Sequence, residues 1–159
     1  MAVEVALLLG SNRGRRVRHL RGGVDRLCRE VSIDRLSRIH AGEPSGRSHQ
    51  PWFLNLAAVG TTSLSPEELL RFCKEVERAE GRGGGPRWGP RELDVDILLM
   101  GEIAMRKPEL SIPHPMMAER RFVLMPLAEI APELRVPPGG ETVRELLNRC
   151  RDRSEVIPL

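Results

Sequence analysis

The sequence predicts an α+β fold, a sandwich of helices on a mostly antiparallel sheet with an inserted hairpin. Three observations predict it. Strand-like and helix-like segments follow one another in the order β-α-β-β-α-β. Two helix starts are written in local chemistry, at Ser65 and at Thr142. The 159 residues amount to about one domain, and with 40% apolar and 30% charged residues they have the balance of a chain that buries a core.

The elements follow in order. Val3–Leu9 is a continuous apolar run closed by Gly10-Ser11-Asn12, the pattern of a central strand entering a turn. Nothing basic precedes the run and no small-residue cleavage site follows it, so it reads as a buried strand and not as a signal peptide. Val17, Leu20, Val24, Leu27, Cys28 and Val31 recur at helical spacing and predict a helix over about 14–30. Ser32–Ile39 is a weaker strand, and Ala41–Pro51 reads as a loop. In Phe53–Thr62, alternation puts Phe53, Asn55, Ala57 and Val59 on one face.

Ser65-Pro66-Glu67-Glu68 combines a cap, a proline at the first helical position and a capping box. Leu69, Leu70, Cys73 and Val76 face inward from that helix, which stops at Gly81. Residues 81–90, GRGGGPRWGP, form a loop. Leu93–Met100 is a strand, and Gly101-Glu102 is read as a hairpin turn into a short strand near Ile103–Met105. Residues 108–115 are extended, and helical pieces over 116–130 are expected to break near Pro126. Thr142-Val143-Arg144-Glu145 opens a last helix running to about Arg149. This order is that of a ferredoxin-like α/β sandwich, in one domain over 1–159.

Composition narrows the function. The charge excess is +3, too mild to announce a nucleic-acid partner. Only Lys74 and Lys107 are lysines, so 23 of the 25 basic residues are arginines, whose planar forks suit phosphates and carboxylates. No apolar run reaches the ~18 residues that span a bilayer, so no membrane partner is expected. Cys28, Cys73 and Cys150 show no CxxC or zinc spacing; Cys28 and Cys73 are assigned to core packing, which implies a reducing, cytoplasmic setting.

The most informative stretch is Leu93–Leu99, LDVDILL. Asp94 and Asp96, two apart on a strand, share a face about 7 Å apart, while Leu93, Val95, Ile97 and Leu99 point the other way. Like charges so placed call for a cation, and oxygen donors without His or Cys select Mg²⁺; taken alone, the pair also fits a solvated edge strand. Just upstream, Arg82, Arg87 and Arg91 flank Gly83-Gly84-Gly85 and Trp88. A metal on one side and guanidiniums on the other is the environment of a polyphosphate. Neither GxxxxGK[ST] nor GxGxxG is present.

The run Arg87–Leu99, RWGPRELDVDILL, resembles the signature of the 6-hydroxymethyl-7,8-dihydropterin pyrophosphokinase family of folate biosynthesis. Leu9–Asn12, Gln50–Asn55, Glu77 with Gly81-Arg82, Ile112–Pro115 and Arg120–Leu124 resemble further blocks of that family in the same order. The resemblance implies ATP-dependent pyrophosphoryl transfer to 6-hydroxymethyl-7,8-dihydropterin, giving AMP and the pterin diphosphate. It implies two Mg²⁺ ions held by Asp94 and Asp96, with Arg82 and Arg91 acting beside them in catalysis. The positions matching nucleotide contacts are Glu77, Arg82, Arg91, Ile97, Ser111, His114 and Arg120. Those matching the pterin pocket are Gly42, Pro44, Phe53, Asn55, Trp88 and Phe122. The pattern departs at Gly84 and Glu109, where the family often carries arginine.

Phe53 beside Asn55 suits a flat ring with a guanidine-like edge, by stacking and amide hydrogen bonds. Three of the chain's five aromatics, Phe53, Trp88 and Phe122, fall at matched positions. A basic RNA-binding module is the rival reading, but without a metal Asp94 and Asp96 would repel phosphate where such a module needs a stacking platform. A relative that keeps the pocket and has lost catalysis is the second rival, supported only by Gly84. The expected partners are small molecules, and the chain is expected to be a monomer.

Overall fold

The computed structural model describes residues 1–44, 51–81 and 91–159. The elements are β1 (Val3–Ser11), α1 (Arg16–Leu27), β2 (Val31–Leu36), β3 (His40–Gly42), β4 (Phe53–Thr62), α2 (Pro66–Ala79) and β5 (Asp94–Met100). They continue with β6 (Met105–Arg106), β7 (Ser111–Ile112), a 3-10 turn at Met117–Glu119, α3 (Arg121–Ile130), β8 (Arg135–Val136), β9 (Glu141–Thr142), α4 (Val143–Arg149) and β10 (Val156–Pro158).

The main sheet runs β10-β3-β4-β1-β5, with β2 paired to β4 beyond β3. Every described pairing is antiparallel. β1 is central because it can be buried on both faces. Val5, Leu7 and Leu9 pack toward α1 and α2, while Ala6 and Leu8 pack toward α3 and α4. Each large side chain sealed there contributes roughly 1.5–3 kcal/mol. The helices after β5 thus add a layer on the second face of the sandwich.

Both capping boxes form as expected. Ser65 Oγ accepts from Glu68 N at 3.2 Å while Ser65 N donates to Glu68 Oε1 at 2.8 Å. Thr142 and Glu145 repeat the exchange at 3.1 and 2.9 Å. The inward stripe of α1 is narrower than predicted. Leu20, Gly23 and Leu27 are buried, but Val17 is exposed, and Cys28, at the helix end, is exposed instead of packed. Cys73 is buried as expected, and burial, with Glu77 and Asp96 nearby, pushes its thiol up to about 12.

Four further expectations are corrected. Ala41 and Gly42, expected at the start of a loop, belong to the strand His40–Gly42, held between β10 and β4. β6 exists, but its partner is β7 and not β5; Gly101 turns back to donate to Glu4 O at 2.8 Å. Pro126 lies inside α3 without ending it, since burial of Val123, Leu124 and Leu127 outweighs one missing backbone bond. Leu99 packs with the α3 layer instead of opposite it. There the register of β5 on β1 shifts, Ala6 facing Leu99 and Leu7 facing Ile97, so Leu98 is an extra residue and the alternation flips.

Gly60 tests the close packing of β2 on β4. A Cβ there would overlap the carbonyl oxygen of Ser32 and come within 2.8 Å of Ile33 Cα. Both are backbone atoms that a rotamer change cannot relieve. Gly60→Ala is expected to cost about 2–3 kcal/mol and to lower Tm by roughly 5–10 °C. An unchanged thermal melt would show that β2 is looser than this packing implies.

Candidate functional site

One end of the sheet gathers the polar residues. The antiparallel registers pair His40 with Asn55, Asn55 with Gly10, and Gly10 with Asp94, so these four form one row across three adjacent pairings. The neighbouring rows pair Gly42 with Phe53 and place Leu8 between Ala57 and Asp96. Cross-strand neighbours share a face, so Phe53, Asn55, Asp94 and Asp96 all face the α3 side. For Asp94 and Asp96 this follows from β5 alternating regularly up to the bulge, with Val95 and Ile97 in the α1/α2 core.

Gly10 is the floor of the row. A Cβ there would come within 2.6 Å of Asn55 Oδ1 and 3.4 Å of Phe53 Cδ1. Gly42 brings the opposite wall close, since its Cβ would lie 3.3 Å from Phe122 Cβ and 3.7 Å from Asn55 Nδ2. Phe53, Asn55, Gly42 and Phe122 therefore meet in one place, as expected for a pocket, with Pro44 half-buried two residues beyond Gly42. Asn55 is 1% exposed, and among the described residues its Nδ2 has no hydrogen-bond partner. A buried amide without an acceptor is costly, and its place between two aromatic side chains suits a planar polar ligand.

A second group assembles beside Asp96. The bulged Leu98 offers its carbonyl to His114 N at 2.9 Å, which anchors the segment leading to α3. Burial lowers the His114 pKa, and the Arg120 guanidinium lowers it further, against the opposing pull of Asp96. The ring is thus held neutral. Its Nδ1 accepts from Met116 N at 3.2 Å, so the proton sits on Nε2, which is left as a donor. The Arg120 guanidinium lies 5.7 Å from the centroid of Phe122, joining the nucleotide-matched group to the pterin-matched one. Ser111 is half-buried on β7, two residues before the segment that carries His114.

Glu77 and Ile97 lie deeper than a simple contact role suggests. Glu77 is 4% exposed, and its Oε2 accepts from Val95 N at 2.8 Å, fixing the open edge of β5 midway between the two aspartates. Ile97 is buried among the α1/α2 core residues, so its side chain faces away from Asp94 and Asp96. Arg82 and Trp88, with Arg87 and the run Gly83–Gly85, lie outside the described residues. Arg91 is described. Its N donates to Asn12 Oδ1 at 2.7 Å, and its O accepts from Asn12 N at 3.0 Å.

Asn12 was not among the predicted site residues, yet it is fully buried and ties the turn after β1 to the entry of β5. The signal was present in Gly10-Ser11-Asn12, because an Asn side chain commonly completes a turn. His40 was missed as well. It is 3% exposed, its Nδ1 lies 3.1 Å from Arg38 O and its Nε2 lies 3.6 Å from Glu129 on α3. Nothing in the local sequence marked it, because its burial comes from β3 and α3 meeting.

An antiparallel α/β sandwich with two carboxylates on one strand face and an aromatic–amide pocket that shares a sheet row with the first of them defines a small-molecule enzyme of the phosphate-handling kind. The family model 7,8-dihydro-6-hydroxymethylpterin-pyrophosphokinase (HPPK) matches residues 6–132, and the chain belongs to that family. It is 43% identical over 141 residues to the 2-amino-4-hydroxy-6-hydroxymethyldihydropteridine pyrophosphokinase of Methylorubrum extorquens, covering 87% of this chain and 88% of that one. It is 40% identical to the protein of the same name in Pseudomonas aeruginosa, covering 94% and 93%. Among solved structures, the Plasmodium falciparum HPPK-DHPS with pteroate superposes with a TM-score of 0.74 at 16% identity, over 94% of this chain and 42% of that one, a likeness of fold.

Proposed function

We propose that the chain transfers the pyrophosphoryl group of ATP to the hydroxymethyl oxygen of 6-hydroxymethyl-7,8-dihydropterin, releasing AMP, as a single-domain, monomeric, cytoplasmic enzyme. The observation that carries this reading is the buried Asn55 amide, unpartnered among the described residues, on the same sheet row as Asp94. A ring recognised at Asn55 has its substituent directed across Gly10 toward the carboxylates.

The donor set fits magnesium. Among the described residues no group of three or more His, Cys, Asp or Glu is placed to hold a metal. Two carboxylates alone leave most octahedral positions to phosphate oxygens and water, which is how Mg²⁺ is held with nucleotides. Asp94 and Asp96 would hold two such ions, and when bound these neutralise the charge developing on the transferred group.

The chain's own residues do the rest. Phe53 and Phe122 hold the pterin ring between them, and Asn55 fixes its edge, with Gly42 and Pro44 shaping the rim; Trp88 is assigned to the same pocket by its matching position in the family. The neutral His114 donates from Nε2 to a phosphate oxygen. Arg82, Arg91 and Arg120 meet the remaining phosphate charge, with Ser111 beside them. Glu77 holds β5 in register and lines the nucleotide side, and Ile97 can reach the nucleotide only through its main chain. Alignment of the attacking oxygen with the β-phosphorus follows from holding both substrates on the same face of neighbouring strands.

Phe53→Ala separates the two subsites. Only the pterin loses a stacking partner, so its binding is expected to weaken by about 1–3 kcal/mol while ATP binding holds. Titration calorimetry with each ligand measures both. An equal loss for the two ligands would place the pterin elsewhere.

A further inference from the structure

We propose that the arginines at the head of α1 act as an electrostatic collector that speeds the arrival of the anionic nucleotide at the site. This rests on the reading that Mg-ATP is a substrate. Residues 13–21, RGRRVRHLR, contain Arg13, Arg15, Arg16, Arg18 and Arg21, and no acid appears until Asp25. The whole chain carries +3, so without these five charges the remainder is −2. These nine residues thus carry more net positive charge than the whole chain.

Their location is the rim of the site. The segment leaves β1 directly after the Gly10 row and is pinned on both sides. Arg13 Nε lies 3.4 Å from Glu92 Oε1 at the entry of β5, and Arg16 Nη1 donates to Trp52 O at 2.7 Å at the entry of β4. The acids facing it are already engaged. Glu92 meets Arg13, and Glu80 is bonded by His19 at 3.0 Å and Arg26 at 2.9 Å. Arg15, Arg18 and Arg21 are exposed, and their side chains make no ion pair or hydrogen bond among the described residues.

Stability does not account for this arrangement. Positions 15, 18 and 21 are three apart, so like charges line one ridge of the helix. They also crowd the positive end of the helix dipole, where the first turn has no acidic residue and no side-chain cap. Such a cluster is unfavourable in the free protein and favourable to an approaching polyanion. Surface charge beside a cleft acts on encounter more than on the bound state.

The test is stopped-flow binding of Mg-ATP carrying a fluorescent ribose label, over a range of ionic strength. The variant combines Arg15→Gln, Arg18→Gln and Arg21→Gln, which keeps good helix formers on the exposed face. The variant's association rate should fall roughly 3–10-fold at low salt, its dissociation rate should hold, and the difference should fade as salt screens the charges. Its thermal midpoint should stay level or rise. Equal association rates and salt slopes in parent and variant would overturn the collector, as would a loss carried by faster dissociation. A parent chain that binds no Mg-ATP would overturn the nucleotide reading, and this proposal with it.

Discussion

Asp94→Asn and Asp96→Asn are each expected to lower turnover by at least about a hundredfold while the protein stays folded. The two carboxylates share one face of β5, about 7 Å apart, and each is half-exposed, so neither contributes to the core. On the proposed reading, removing one takes away a cation ligand and part of the charge neutralisation that the phosphoryl group needs. Removing it also relieves repulsion between like charges in the metal-free protein. In Asp96→Asn the thermal midpoint should therefore hold or rise slightly as activity collapses. Turnover measured against Mg²⁺ concentration, beside a thermal melt, checks both halves. Near-normal activity in both variants would remove the carboxylates from the chemistry.

Gly10→Ala is the second large effect. The new methyl would lie 2.6 Å from Asn55 Oδ1, which is closer than two unbonded heavy atoms tolerate. Asn55 is buried, so its amide has to rotate away from the position that faces the pocket. Loss of one or two buried amide bonds to the pterin, at about 1.5 kcal/mol each, corresponds to roughly a 10–100-fold weaker Kd. ATP binding should change little, because Asp94 and Asp96 lie on the other side of β1. Calorimetry with each ligand reads the difference. Unaltered pterin affinity would mean that Asn55 does not hold the ring.

Much of this fold is legible because its signals are local. β4 spans the residues that read as a strand in the sequence, and both capping boxes lie within four consecutive residues. What sequence reading misses depends on distant partners. β3 and β10 are three residues each and exist because they pair with each other, His40 facing Pro158. The bulge at Leu98 reverses the face of Leu99 and presents a carbonyl to His114, which no window around Leu98 reveals. Pro126 reads as a helix breaker, and only the packing of α3 on β4 and α4 overrides it.

The site divides along the same line. Asp94 and Asp96 stand out because charges two apart on an apolar strand demand a reason. Phe53 and Asn55 stand out because aromatics are scarce in this chain. That Asn55, Gly10 and Asp94 form one row depends on the β4-β1-β5 register, which is a property of the whole sheet. The roles of Glu77 and Asn12 as braces for β5 also appear only once the strand has an edge to brace.

The most direct test of the central claim is to mix the chain with ATP, Mg²⁺ and 6-hydroxymethyl-7,8-dihydropterin and to identify the products. Pyrophosphoryl transfer predicts AMP and the pterin diphosphate in equal amounts, with none formed when Mg²⁺ is chelated. ADP with a pterin monophosphate, or no nucleotide turnover at all, would contradict it.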